Sequence, residues 1–209
     1  FSVMVPAGTA PGIHGIRVAT PKGISALKLF VVDDLPTVVQ AKNNTAFSTA
    51  QEIKIPTAVD GTVAALQRHY YRFKAAAGQT LSFEVLARRI GSPLDPVIRV
   101  LKMNDFGATE LGYNDDALGL MGDPQFSYRF QNAGEYLVEV RDIQYKGGGT
   151  HRYRLRIGDF PCVTTTYPMG AQRGPQTTIS FAGSDINGVV PVKFTRSEER
   201  RRGKRGRAR

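Results

Sequence analysis

Runs of alternating apolar and polar residues recur along most of the chain and constrain its fold more than any motif does. Residues 71 to 73, 81 to 85, 126 to 130, 136 to 140 and 153 to 157 each place Tyr, Phe, Leu, Val or Ile at every second position. A period of two puts the apolar set on one face of a strand and leaves the other face polar, the signature of half-buried antiparallel strands. Turn chemistry separates the runs: Gly78, the segment Asn104-Asp105-Phe106-Gly107, Gly134, and the triplet Gly147-Gly148-Gly149. No window of a dozen residues carries a 3.6-residue apolar stripe, and no run approaches the roughly 18 apolar residues that a membrane-crossing helix requires. The expected fold is all-β, an antiparallel β-sandwich of the jelly-roll kind.

Of the net charge of +10, the last fourteen residues hold +6, with eight Lys or Arg and two Glu, so residues 1 to 195 carry only +4. Residues 196 to 209 have no apolar periodicity and read as a disordered basic tail, solvated or bound to an anionic surface. Cys162 is the single cysteine, which excludes an internal disulfide and any paired-cysteine metal site. A short echo marks the domain edges. Asp34-Leu35-Pro36-Thr37-Val38 and Asp159-Phe160-Pro161-Cys162-Val163 each follow a strand, 125 positions apart. Read as hinges, they divide the chain into residues 1 to 35, the last strands of one domain; 36 to 160, a complete domain; 161 to 195, the start of a further β domain; and the tail. No signal segment opens the chain, which reads as part of a longer one.

Residues 38 to 158 resemble the bacterial pre-peptidase C-terminal domain. The resemblance rests on Lys42-Asn43-Asn44-Thr45 with Ala50-Gln51, Gly61, Tyr70-Tyr71-Arg72-Phe73, Ala77-Gly78-Gln79-Thr80-Leu81, Leu94-Asp95-Pro96, Asn114-Asp115-Asp116 and Ala133-Gly134-Glu135-Tyr136, in that order. The flanks, Ala10 to Val18 with Thr20 to Ser25, and Tyr167-Pro168-Met169-Gly170 with Arg173-Gly174, resemble the end and the start of immunoglobulin-like domains. The resemblance implies a non-catalytic module of an exported protein, secreted or on the cell surface, with a periplasmic location also open. It also implies a place for calcium, bound in some family members by an acidic opening segment and strand aspartates. In this chain Lys42, Asn43 and Thr45 depart from that segment, Asn44 remains, and Gln67 and His69 replace the aspartates. The family's usual calcium site is therefore expected to be lost, because an ammonium and amides do not supply the carboxylates that calcium needs.

Other residues then carry the candidate chemistry. Residues 112 to 123, GYNDDALGLMGD, hold Asn114, Asp115, Asp116 and Asp123, hard oxygens that would suit calcium, or else a turn stabilised by its own side chains. Arg152, Arg154 and Arg156 alternate with Tyr153, Leu155 and Ile157, which sets three guanidiniums on one strand face. They would take a carboxylate, sulfate or phosphate, or pair across strands with Glu84, Glu135, Glu139 or Asp142. Arg88, Arg89, Arg99 and Arg141 are candidates to extend that face. Tyr113, Tyr128 and Tyr145 are the tyrosines available to stack on sugars. The three histidines lie in separate segments and no Gly-x-Ser-x-Gly elbow is present, so no enzyme is expected. The expected role is a spacer, an adhesion unit or a substrate-binding unit with no cofactor beyond a candidate calcium, its partners being neighbouring domains of the same parent protein and extracellular protein or polysaccharide. A carbohydrate-binding or calcium-stabilised jelly roll is the alternative, and nucleic-acid binding through the tail a further one.

Overall fold

The computed structural model describes residues 3 to 173 and 177 to 186. The basic tail lies outside the described residues. The strands, in chain order, are β1 (Gly12–Ile16), β2 (Ala19–Thr20), β3 (Gly23–Ile24), β4 (Lys28–Val32), β5 (Thr37–Val39), β6 (Gln51–Glu52), β7 (Thr57–Thr62), β8 (Arg68–Ala75), β9 (Thr80–Leu86), β10 (Pro96–Asn104), β11 (Gly107–Asn114), β12 (Gln125–Arg129), β13 (Gly134–Asp142), β14 (Arg152–Gly158), β15 (Cys162–Tyr167) and β16 (Ser180–Ser184). Two short 3-10 turns, Phe47–Thr49 and Arg88–Ile90, are the helical elements among the described residues.

Ten of these strands form two facing sheets, in the orders β11-β10-β13-β8-β6 and β12-β9-β14-β7-β5. Pairing is antiparallel except where the short β5 and β6 run parallel to β7 and β8. Both sheets draw all their strands from residues 37 to 158, whereas β1 with β4, β2 with β3, and β15 with β16 form separate two-stranded ribbons. The alternating runs point their apolar residues inward as expected. Tyr71 and Phe73, Leu81, Phe83 and Val85, Tyr136, Val138 and Val140, and Leu155 and Ile157 all belong to one buried cluster.

Aromatic edges interlock at its centre. Phe130 lies 5.8 Å from Phe73, edge-on, and 4.4 Å from Tyr136, while Phe83 stacks on Phe126 at 5.4 Å. Tyr128 is part of this layer, edge-on to Phe130 at 4.9 Å, so it is not a free sugar-stacking platform. One side-chain amide ties the sandwich across its open edge. Gln51 on β6 donates to the Val39 carbonyl and accepts from the Ala41 N–H, taking the place of a strand beside β5.

The glycine run after β13 closes against the chain before β8, where a Cβ on Gly147 would overlap the backbone of Ala64 and Ala65. A Gly147→Ala substitution therefore forces the backbone itself to move. We expect it to lower the thermal midpoint by several degrees, a cost above about 1 kcal/mol, whereas alanine at Gly149, where nothing lies within 4 Å, leaves the midpoint near wild type.

Candidate functional site

The β14 arginines do share the outer face of their sheet, but most of their capacity is spent inside the protein. Arg154 donates through Nη1 to both oxygens of Asp60 at 2.8 and 2.9 Å, through Nη2 to Thr37 at 2.8 Å, and through Nε to Asp33 at 3.3 Å. Arg156 grips Asp33 at 2.9 and 3.2 Å, pairs with Glu84, and stacks over the Phe160 ring at 4.4 Å. Asp33 is almost fully enclosed. Burial pushes its carboxyl up, but hydrogen bonding and charge from Arg156, with the Leu35 N–H and Arg154, hold it below the usual carboxylate range. Arg152 alone of the three stays exposed, its Nε on the Gly149 carbonyl at 3.3 Å. Arg154 and Arg156, two of the expected ligand-binding residues, are thus anchors for the chain before the sandwich. Beside them an open cleft of ≈ 420 Å³ separates Leu29, Phe30 and Val31 from Asp60, Thr62, Ile90 and Arg152.

Of the other arginines proposed to extend this face, Arg89 reaches it from a 3-10 turn by pairing with Glu84 at 2.9 Å, whereas Arg88 pairs with Asp95, and Arg99 and Arg141 stand on the opposite sheet. Cross-strand pairing holds for Glu84 with Arg156 and for Glu139 with Arg99, and Arg141 meets Glu139 along their shared strand. Glu135 meets Lys74 instead. Asp142 turns inward and accepts the N–H groups of Asp95, Gln144 and Lys146.

In residues 112 to 123 the four expected metal ligands do not converge. Asp123 is fully buried and accepts from the N–H groups of Ala87, Arg88 and Arg89 at 3.0, 2.8 and 3.2 Å and from Arg89 Nε at 2.9 Å. Its carboxylate is the anchor of the 3-10 turn Arg88–Ile90, and both oxygens are already engaged. Asn114 accepts from the Gln125 N–H, and Asp115 from the Tyr113 hydroxyl at 2.8 Å. Asp116 lies near the left-handed Gly122 and Arg88, and Arg88 is ion-paired to Asp95 at 2.9 Å. Among the described residues no group of three or more His, Cys, Asp or Glu is gathered to hold a metal.

Asn44 and His69, two of the positions that the resemblance connects with calcium, belong to a neutral network. Gln40 Nε2 donates to His69 Nε2 at 3.1 Å, which makes that nitrogen the acceptor and leaves Nδ1–H to donate to Tyr153 Oη at 2.9 Å. Tyr153 is hydrogen-bonded in turn to Tyr71. The buried Asn44 accepts from Gln40 Nε2 at 3.4 Å and completes the set. Burial lowers the His69 pKa to about 4 and pushes the Tyr71 hydroxyl up to about 12.

The outer face of the β11-β10-β13-β8-β6 sheet holds a cluster that sequence spacing did not disclose. Register places Arg68 directly opposite Arg141 and Tyr70 opposite Glu139, with Arg99 and Tyr113 continuing the second row. Both Arg68 and Arg141 lie over the Tyr145 ring, at 5.2 and 4.8 Å, and Arg68 Nη2 donates to its hydroxyl at 2.8 Å. Tyr145 was legible only as a sugar-stacking candidate, because its partners come from strands 77 and 4 residues away.

No family model and no curated protein matches the chain. Its solved structural neighbours include the pre-peptidase C-terminal domain of collagenase from Bacillus anthracis, at 19% identity and TM-score 0.37 over 52% of this chain and 93% of that one. The periplasmic inhibitor of g-type lysozyme from Aeromonas hydrophila follows at 19% identity and TM-score 0.38, over 61% and 98%. CorA, a surface-associated copper-binding protein of Methylomicrobium album, has 13% identity and TM-score 0.36, over 59% and 98%. Likeness of this degree transfers no ligand and no activity to the chain.

Removing the acceptor at Asp123 strands three backbone donors and the Arg89 Nε–H. Asp123→Ala is expected to cost about 3 kcal/mol in urea unfolding, by the same amount in EDTA and in millimolar calcium. A loss seen only with calcium would restore a metal to this loop. For His69, the folded state requires the neutral ring, since protonated Nε2 would face the Gln40 amide donor. With an ordinary value of 6.5 and a folded value of about 4, the unfolded chain binds the extra proton first, so stability falls as pH drops from 6.5 to 4. His69→Gln should lose that component of the pH dependence of the urea midpoint.

Proposed function

We propose that residues 36 to 160 are a non-catalytic binding module of an exported multidomain protein, held by one sheet to the segments before and after it and free on the other. Residues 1 to 35 are then the C-terminal strands of an immunoglobulin-like domain and residues 161 to 195 the start of a further β domain. The observation that carries this reading is the place where the chain enters and leaves. Arg156 pairs with Asp33 on the incoming segment and stacks on Phe160 of the outgoing one. A Cβ on Gly158 would lie 3.5 Å from Leu35 and 3.6 Å from Phe160, so both hinges meet at one end of β14.

Both flanks also run along the same sheet. On one side β4 residues line the cleft over β7 and β14. On the other, Ser127 of β12 donates to Cys162 at 3.3 Å and accepts from Ser184 at 3.3 Å. A spacer working in series needs its two connections at opposite ends. Here they are adjacent, so the sandwich projects sideways from the chain that carries it, an arrangement suited to adhesion or substrate binding rather than to extending reach. Export, to the cell surface or the medium, follows the resemblance of residues 38 to 158.

The test is amide hydrogen exchange on the whole chain. Asp33→Asn should speed exchange in β1 and β4 at least tenfold while β8 and β13 keep their protection. Unchanged exchange in β1 and β4 would show that the flank is not attached through this clamp.

A further inference from the structure

The free sheet face carries five basic side chains, Arg68, Arg72, Lys74, Arg99 and Arg141, against four acidic ones, Glu52, Glu110, Glu135 and Glu139. Within it, Arg68 and Arg141 occupy directly opposed positions on β8 and β13. Like charges directly opposite one another destabilise a sheet. The structure does not relieve the repulsion with a second carboxylate. Glu139 is fully buried and already serves Arg99 at 3.2 Å and Arg141 at 3.3 Å. Arg68 forms no ion pair among the described residues.

Arg141 is held by Glu139 and by the Asp142 and Ile143 carbonyls, to which its Nη1 donates at 3.1 and 3.3 Å, whereas Arg68 is held by Tyr145, and Tyr145 is itself held. Asp142 is almost fully buried and binds the N–H groups of Gln144 and Lys146, closing the turn around it. Tyr145 sits at φ 58, in the left-handed region that aromatic residues rarely adopt, and its carbonyl accepts from the Leu66 N–H at 2.9 Å. Strain of this kind persists only where the surroundings enforce it. The turn thereby presents a ring that two cations share, fixing an unneutralised Arg68 beside Arg141 with little rotamer freedom left to lose on binding.

We propose that Arg68 and Arg141, seated on Tyr145, form the docking site for carboxylate or sulfate groups of an acidic polysaccharide, with Tyr113, 44% exposed beyond Arg99 in the next row, offering an apolar surface to a sugar ring. Guanidinium forks suit both anions through paired N–H donors. A polysaccharide fits better than an acidic peptide because the exposed Tyr113 ring lies on the same sheet face as the arginine pair, where a sugar face can stack on it. The ligand class rests on the side-projecting reading above, which the exchange experiment tests without any ligand.

The experiment is calorimetric titration of the whole chain with oligogalacturonate and with dextran sulfate, using neutral dextran and poly-glutamate as comparators. The basic tail is present in every arm, so differences between variants report the sheet. Arg68→Ala touches no ion pair and should fold normally, yet weaken binding about tenfold or more and reduce the salt dependence. Tyr145→Ala should weaken it by a similar factor by releasing the Arg68 guanidinium. Arg152→Ala, on the opposite sheet, should bind as wild type. Undiminished binding by Arg68→Ala, or no binding of either acidic polysaccharide by the wild type, would overturn the proposal. Equal or tighter binding of poly-glutamate that also depends on Arg68 would overturn the polysaccharide assignment in favour of an acidic protein.

Discussion

A single buried carboxylate, Asp33, sets how the rest of the molecule is arranged. It is enclosed by Arg154 and Arg156, which also bind Asp60 and Glu84 on the neighbouring strands β7 and β9. Three strands and the incoming segment are thus tied into one charge network on one sheet face. Such networks are poor sources of net stability, since desolvation offsets most of the attraction. They are strongly directional, however, and removing one member leaves an uncompensated charge. An apolar patch would hold the flank just as firmly but would accept many orientations. Arg156, shared between Asp33 and Phe160, fixes the incoming and outgoing segments relative to each other.

The two outer faces have consequently diverged. On the β12-β9-β14-β7-β5 side, three carboxylates match Arg154 and Arg156, and the face is covered by the chain's own flanks. On the other, the short 3-10 turn Phe47–Thr49 packs Phe47 edge-on against Tyr70 at 4.7 Å, and a small apolar cluster of Tyr70, Leu101 and Leu137 fills the centre. Beyond that cluster the basic residues outnumber the acidic ones.

Much of the sandwich was readable from periodicity, because the side-chain period of a strand is fixed by the backbone and needs no knowledge of partners. Tyr153, Leu155 and Ile157 had to face one way and Arg152, Arg154 and Arg156 the other, whatever the topology. Periodicity does not say which outward face meets which neighbour. Asp33 lies 121 and 123 positions before the arginines it binds, and nothing in either local segment marks the other. Asp123 illustrates the opposite failure. In a row of Asn and Asp it reads as a metal oxygen, yet its donors are main-chain N–H groups 34 to 36 residues earlier, which every residue but proline carries and no sequence motif advertises. The expectation that Arg99 and Arg141 would lengthen the β14 face failed for the same reason, as strand order rather than spacing assigns a residue to a sheet.

The segment between β5 and β6 is sealed to the sandwich by neutral hydrogen-bonding groups. Gln40 receives the Thr62 N–H at 2.8 Å and donates to Asn44 and His69, while Gln51 stands in for a missing strand beside β5. Each of these groups is neutral, so each bond survives in a site where Asn44 and His69 are wholly buried and an isolated charge would be costly. A calcium site would fasten the same segment largely through carboxylates and would come apart when the ion left. Amide, imidazole and phenol groups hold it without dependence on ion concentration, at the cost of dependence on proton concentration, because the one titratable member with an acceptor nitrogen, His69, must stay neutral for the chain of donors to close.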